Sequence, residues 1–157
     1  VGRDGAMVAI GRWPARRPAP LQTAVDWFDY AVSIEGDDPN GARQAYERAL
    51  QADPEFADAY VNLGRLVHDA GDARAAARFY AEALRRNAVD AVTHYNFAVA
   101  CEDLGRRARA RVHYEKAGAI NPAFADAHFN LGRLLETSGE TDAAVKHLLA
   151  YRRLSDR

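Results

Sequence analysis

Three asparagines, Asn62, Asn96 and Asn130, stand 34 residues apart, each on the same face of an amphipathic stretch. A carboxamide carries an acceptor oxygen and two donor hydrogens, so it can pair with both the N–H and the C=O of a passing peptide unit. Amides recurring in one line are the chemistry of a surface that grips an extended backbone. Each such bond contributes about 0.5–1.5 kcal/mol net, so three give about 2–4 kcal/mol. Micromolar affinity needs about 8 kcal/mol. Apolar contacts must supply the difference, and Phe28, Val61, Tyr95 and Phe129 stand beside the amide line.

Other chemistries have less in their favour. No serine, cysteine or carboxylate stands with a histidine in a recurring local motif of nucleophilic catalysis, and the chain is expected not to be an enzyme. His94 and His128 occupy an aromatic core position, and His113 and His147 recur on the stretches that follow. Recurrence at the repeat period accounts for all four, and no pair sits at i, i+4 with a third ligand, so neither a metal nor any other cofactor is expected. Cys101 lies on a core stripe and reads as a buried small hydrophobe. Arg106-Arg107-Ala108-Arg109-Ala110-Arg111 is basic but lacks the interleaved aromatics of a nucleic-acid surface, so it reads as a solvated helix face.

The elements that must carry the asparagines are themselves periodic. Phe56-Ala57-Asp58-Ala59-Tyr60-Val61-Asn62-Leu63-Gly64-Arg65-Leu66 returns as Phe124-Ala125-Asp126-Ala127-His128-Phe129-Asn130-Leu131-Gly132-Arg133-Leu134. A fixed period of this size makes the chain a stack of like supersecondary units. Tyr60, Leu63, Gly64 and Val67 follow the i, i+3, i+4, i+7 spacing of a helix face. Gly71-Asp72 ends that helix and caps the next, whose buried face is Ala76, Tyr80, Ala83 and Leu84. Pro54 and Pro122 close their units because proline forces the residue before it out of helical geometry, and Ala88 holds that place between them. An earlier unit is worn: Trp27, Tyr30, Ala31 and Ile34, then Ala42, Tyr46, Ala49 and Leu50, with a turn one residue short. The repeats run over about 24–56, 57–90, 91–124 and 125–157, within a domain covering 21–157.

This pattern resembles the tetratricopeptide repeat family, whose signature is aromatic-x2-Leu-Gly-x2-aromatic followed by Ala, aromatic, Ala and Pro. Ala31 and Ala98 replace the glycine, and Val67, Cys101 and Leu135 replace the second aromatic, all keeping small size or apolarity. The resemblance implies an all-α fold: an α-solenoid of four helical hairpins, about eight antiparallel helices, in a right-handed superhelix with a concave groove. In that family the first helices of successive hairpins line the groove. By resemblance it carries Asp58, Val61, Asn62, Arg65, His68 and Asp69; then Val92, Tyr95, Asn96, Val99, Glu102 and Asp103; then Asp126, Phe129, Asn130, Arg133, Glu136 and Thr137. Phe28, Asp29, Val32 and Glu35 come from the worn unit. The family's carboxylate-gripping cluster is absent, because Phe28, Val32, Val92 and Asn96 hold its positions. Acidic groove residues outnumber Arg65 and Arg133, so the expected partner is an extended protein segment, neutral to basic, with apolar side chains.

Composition narrows the classes further. The formal net charge of −1 gives no global attraction to nucleic acid or to a membrane surface, and neither is an expected partner. A single cysteine excludes an internal disulfide and favours a reducing compartment, so a cytoplasmic location is expected, and the Arg- and Ala-rich composition suggests a bacterial source. Residues 1–20 carry Arg3, Arg12, Arg16 and Arg17 against Asp4 alone, with Pro14, Pro18, Pro20 and Trp13; they read as a basic arm or linker. Such an arm suits an acidic, aromatic-lined groove, its own or a neighbour's. Tyr151 stands where the family has its last small residue, so the final helix also reads as an end cap. The rival expectations are a self-assembly module using the arm or the end faces, and the protein-contact part of a longer bacterial regulator.

Overall fold

Glycine punctuates the chain at the repeat period. Gly71, Gly105 and Gly139 all adopt positive φ (91°, 71° and 81°), a conformation that costs glycine nothing and other residues a steric clash. Each sits just past a helix and lets the next N–H reach back: Asp72 to the Val67 carbonyl, Arg106 to Cys101 and Glu140 to Leu135, at 2.8–3.0 Å. A computed structural model describes residues 21–156, which form eight helices and no strand. They are α1 (Ala24–Ile34), α2 (Pro39–Ala52), α3 (Ala57–Asp69), α4 (Ala73–Arg86), α5 (Ala91–Asp103), α6 (Arg107–Ile120), α7 (Ala125–Thr137) and α8 (Thr141–Ser155). The basic arm, and with it any docking of Trp13, lies outside the described residues.

Consecutive helices pair as hairpins, α1 with α2 through α7 with α8, and each second helix packs on the first helix of the next hairpin. Starts are fixed locally. Asp72 accepts from the Ala75 N–H at 2.8 Å and Asp38 from the Gly41 N–H at 2.9 Å, each satisfying an orphan donor of the first turn. Asp90 serves α5 through Val92 and Thr93. Phe56 and Phe124 stand at the same place before α3 and α7 without a side-chain cap, and pack instead on Phe28 and Tyr95 at 4.9 Å between ring centroids.

The core is a continuous column. Tyr46, Tyr80 and Tyr114 from the second helices are fully buried against Ala31, Leu63, Phe97 and Ala98 of the first. Small residues set the hairpin spacing: a Cβ on Gly64 would stand 2.7 Å from Tyr80, and one on Gly132 2.8 Å from Leu148. Cys101 is buried and unpaired, and burial pushes its thiol up. Among the described residues no helix is long and apolar enough to cross a membrane.

Candidate functional site

The first helices lie side by side and present one face, and side chains bridge it at every junction. At the first junction Arg65 of α3 pairs with Glu35, the residue that caps the end of α1. The Tyr46 hydroxyl donates to the other Glu35 oxygen at 2.7 Å, and Asn62 Nδ2 donates to that hydroxyl at 3.2 Å. Burial works against the Glu35 carboxylate, but the Arg65 and Tyr46 hydrogen bonds outweigh it and hold the carboxyl below the ordinary range. Burial, reinforced by Glu35, raises the Tyr46 phenol to about 12.

The same clamp returns two units later. Arg133 of α7 reaches Glu102 of α5 at 2.6 Å, and the Tyr114 hydroxyl donates to Glu102 at 2.9 Å. Here Asn130 Nδ2 donates to the Tyr95 hydroxyl at 3.0 Å instead of to the buried tyrosine. The residue matching Tyr95 in the first unit is Phe28, which has no hydroxyl to offer, so Asn62 turns to Tyr46.

The central junction is built differently. His68 stands at the position of Glu35 and Glu102, and Val99 at that of Arg65 and Arg133. His68 Nε2 meets Asp103 at 2.7 Å, and its ring lies edge-on to Tyr80 at 6.4 Å. Tyr80, drawn over Gly64, makes no hydrogen bond through its hydroxyl to the described residues, and burial raises its phenol strongly. Asn96 likewise makes no side-chain hydrogen bond to them. Of the three asparagines it is the one with its full set of donors and acceptor open, whereas Asn62 and Asn130 keep the oxygen and one N–H. One junction further on, between α5 and α7, Tyr95, Val99, Glu102, Asp103, Tyr114, Asn130 and Arg133 line a depression of about 390 Å³.

The remaining residues expected at the groove divide by exposure. Phe28 and Tyr95 are half-buried, each against a second-helix tyrosine and the following Phe56 or Phe124. Val61 is half-buried; Phe129 is 42% exposed, its ring against Tyr151 at 5.0 Å. Arg65 and Arg133 are committed to carboxylates, while Asp29, Asp58, Asp126 and Glu136 are exposed and make no ion pair among the described residues. The net charge of the face is that of the sequence tally, and the pairing of both arginines leaves its free charges acidic.

Sequence reasoning missed how the histidines meet. His94 and His113 approach with Nδ1 atoms 2.8 Å apart, and His128 and His147 at 3.1 Å. His94 Nε2 lies 3.0 Å from the Ala88 carbonyl and His128 Nε2 3.0 Å from the Pro122 carbonyl. Burial, then His94, Lys116 and Arg109, lower His113 to about 4, and His147 is lowered by burial, His128 and Lys146. The available signal was that both pairs are separated by 19 residues at one repeat period. Of the arginine run, Arg111 pairs with Glu115 at 2.9 Å and Arg109 lies over Phe97 at 5.2 Å.

A sequence profile of the tetratricopeptide repeat matches residues 33–95 and 102–154. A search of curated proteins finds no match. Among solved structures, the crystal structure of MamA is 24% identical with a TM-score of 0.79, over 85% of this chain and 78% of that one. MamA from Desulfovibrio magneticus RS-1, residues 41 to the end, is 15% identical at 0.76, over 85% and 76%. YrrB, described as a TPR protein with an unusual peptide-binding site, is 21% identical at 0.77, over 83% and 68%. At these identities the likeness is one of fold.

Proposed function

The chain belongs to the tetratricopeptide repeat family, a family of protein-interaction scaffolds, and on that premise we propose that its first-helix face holds an extended segment of a partner protein. The observation that carries the reading is the amide line itself. Asn62 and Asn130 are oriented by tyrosine hydroxyls, with an acceptor and a donor left over, and Asn96 lies open between them. Fixed orientation matters because an amide already held in place loses little rotamer freedom on binding. Asp58, Asp126 and Glu136 favour a segment that is neutral or basic, and Phe129, Val61 and Val99 offer it apolar contact. Catalysis has no part in this reading. The peptide-binding description of YrrB is consistent with it. In a pull-down against a library of neutral, basic and acidic peptides, Asn62, Asn96 and Asn130 changed together to Ala should abolish capture of neutral and basic peptides while helicity and melting stay unchanged. Undiminished capture would sink the reading.

A second reading, self-association, has its own observation. The terminal helices expose apolar side chains: Val25 at 56% and Tyr30 at 44% on α1, Val145 at 49% and Leu149 at 43% on α8. Light scattering over a concentration series decides it, since a persistent monomer rules it out.

A further inference from the structure

Successive second helices leave a gap over the first helix between them, and one of these gaps stays open. α4 and α6 each pack on α5, and a cavity of about 450 Å³ lies between them. It shares no residue with the amide line. Leu84, Phe97 and Ile120 give it an apolar floor. One repeat period earlier the position of Ile120 holds Arg86. The Arg86 side chain is only 7% exposed, lies over Tyr60 at 4.3 Å and donates to the Pro54 carbonyl at 2.8 Å. Ile120 has no such reach or donor. Val89, which also lines the cavity, is 74% exposed and stands where Glu55 stands one period before.

The charge of the lining is not repeat inheritance. Arg85, Arg109 and Lys116 line the cavity and no carboxylate does. The matching residues are Gln51, Ala75 and Glu82 one period earlier, and Ala119, Ala143 and Ala150 one period later. Arg85 pairs with Glu82 at 2.9 Å, but Glu82 is shared with Arg86 and lies outside the lining. Arg109, over the Phe97 ring, and Lys116 make no ion pair among the described residues. His113 feels both cations with no carboxylate to offset them, whereas Glu115 offsets Lys146 at His147. The histidine pair in the lining is closed and neutral: His94 donates through Nε2 to the Ala88 carbonyl and accepts from His113 at Nδ1. Apart from the outer nitrogen of His113, every unspent polar side-chain group around the cavity is a donor.

We propose that this cavity binds a small amphiphilic carboxylate, its hydrocarbon chain on Leu84, Phe97 and Ile120 and its anionic head among Arg85, Arg109 and Lys116. A carboxylate only accepts hydrogen bonds, which matches a lining that almost only donates them. A hydrocarbon chain asks for no polar partner, and the floor offers none. The volume falls in the range of small-molecule sites, about 300–1,000 Å³. An extended peptide would bring backbone N–H groups that find no acceptor there. The same charge turns away the basic residues 1–20 and any basic segment suited to the amide line, so the two sites select opposite ligands.

Decanoate is the probe, in calorimetry and NMR on the full chain. One saturable site per chain is expected, with the Phe97 and His113 ring resonances shifting and His147, the matching histidine one period later, unmoved. Each fully buried methylene is worth about fourfold, so hexanoate should bind at least about tenfold more weakly. Decylammonium, with the same chain and the opposite charge, should not bind there. Arg109→Ala with Lys116→Ala installs the residues that the next unit carries as Ala143 and Ala150, and should weaken decanoate about tenfold with circular dichroism unchanged. Arg74→Ala with Arg107→Ala removes as much charge outside the cavity and should leave affinity unaltered. No saturable decanoate binding, equal affinity for decylammonium or hexanoate, or undiminished affinity in Arg109→Ala with Lys116→Ala would each overturn the proposal. An acidic, apolar peptide that shifts Phe97 and His113 where decanoate does not would assign the cavity to a protein segment instead.

Discussion

The outer junctions of the groove face and the central one solve the same packing problem with different side chains. At the outer two, a glutamate accepts from a buried tyrosine and an arginine of the next unit, which closes the surface polar groups on one another. At the central one, valine replaces the arginine, histidine replaces the glutamate, and Tyr80 and Asn96 are left without partners among the described residues. Closed junctions hold the solenoid's geometry. The open one keeps unspent hydrogen-bonding capacity, which under the proposed function would meet an incoming backbone.

Breaking a closed junction should cost more than breaking the open one. Glu102→Ala removes the acceptor for the Tyr114 hydroxyl, whose own atoms are buried, and the partner of Arg133. A loss of about 1–3 kcal/mol is expected from urea unfolding. Asp103→Ala removes the carboxylate facing His68, but Asp103 is 54% exposed, and the loss should stay under about 1 kcal/mol. Equal losses would erase the distinction.

Closing the open junction should sharpen it. His68→Glu with Val99→Arg rebuilds the outer clamp at the centre. Melting temperature should hold or rise slightly, while affinity for a neutral or basic peptide falls about tenfold, equivalent to about 1.4 kcal/mol. Unaltered affinity in fluorescence titrations would detach binding from the central junction.

The smallest effect is a pH dependence confined to the last two hairpins. His113 titrates at about 4 folded against 6.5 for the free side chain, so the unfolded chain takes up the proton first. Its contribution to stability is therefore complete above pH 6.5 and is lost as pH falls from there toward 4. His147, facing His128, Lys146 and Glu115, acts in the same direction. The melting temperature should drop between pH 7 and 5, and less so in His113→Phe with His147→Phe; identical slopes would contradict the assignment.

Much of this fold is legible in the sequence because each signal is local. The Leu63, Gly64 and Val67 spacing defines a face, Gly71 and Asp72 a turn and a cap, and the 34-residue period stacks the units. The site is less legible because its bonds span units. Glu35 and Arg65 are 30 residues apart, and nothing near either names the other. Whether Asn130 chooses Tyr95 or Tyr114 depends on a hydroxyl that Phe28 lacks one period earlier. The histidines were visible as a recurrence, but their head-on contact depends on ring orientation.

The amide line is best tested by NMR on side-chain Nδ2 resonances during titration with a neutral-to-basic peptide selected from the library. The Asn62, Asn96 and Asn130 amides should all shift, Asn96 most, with His113 and His147 on the second helices unaffected. Saturable binding that leaves the three amides unmoved would contradict it.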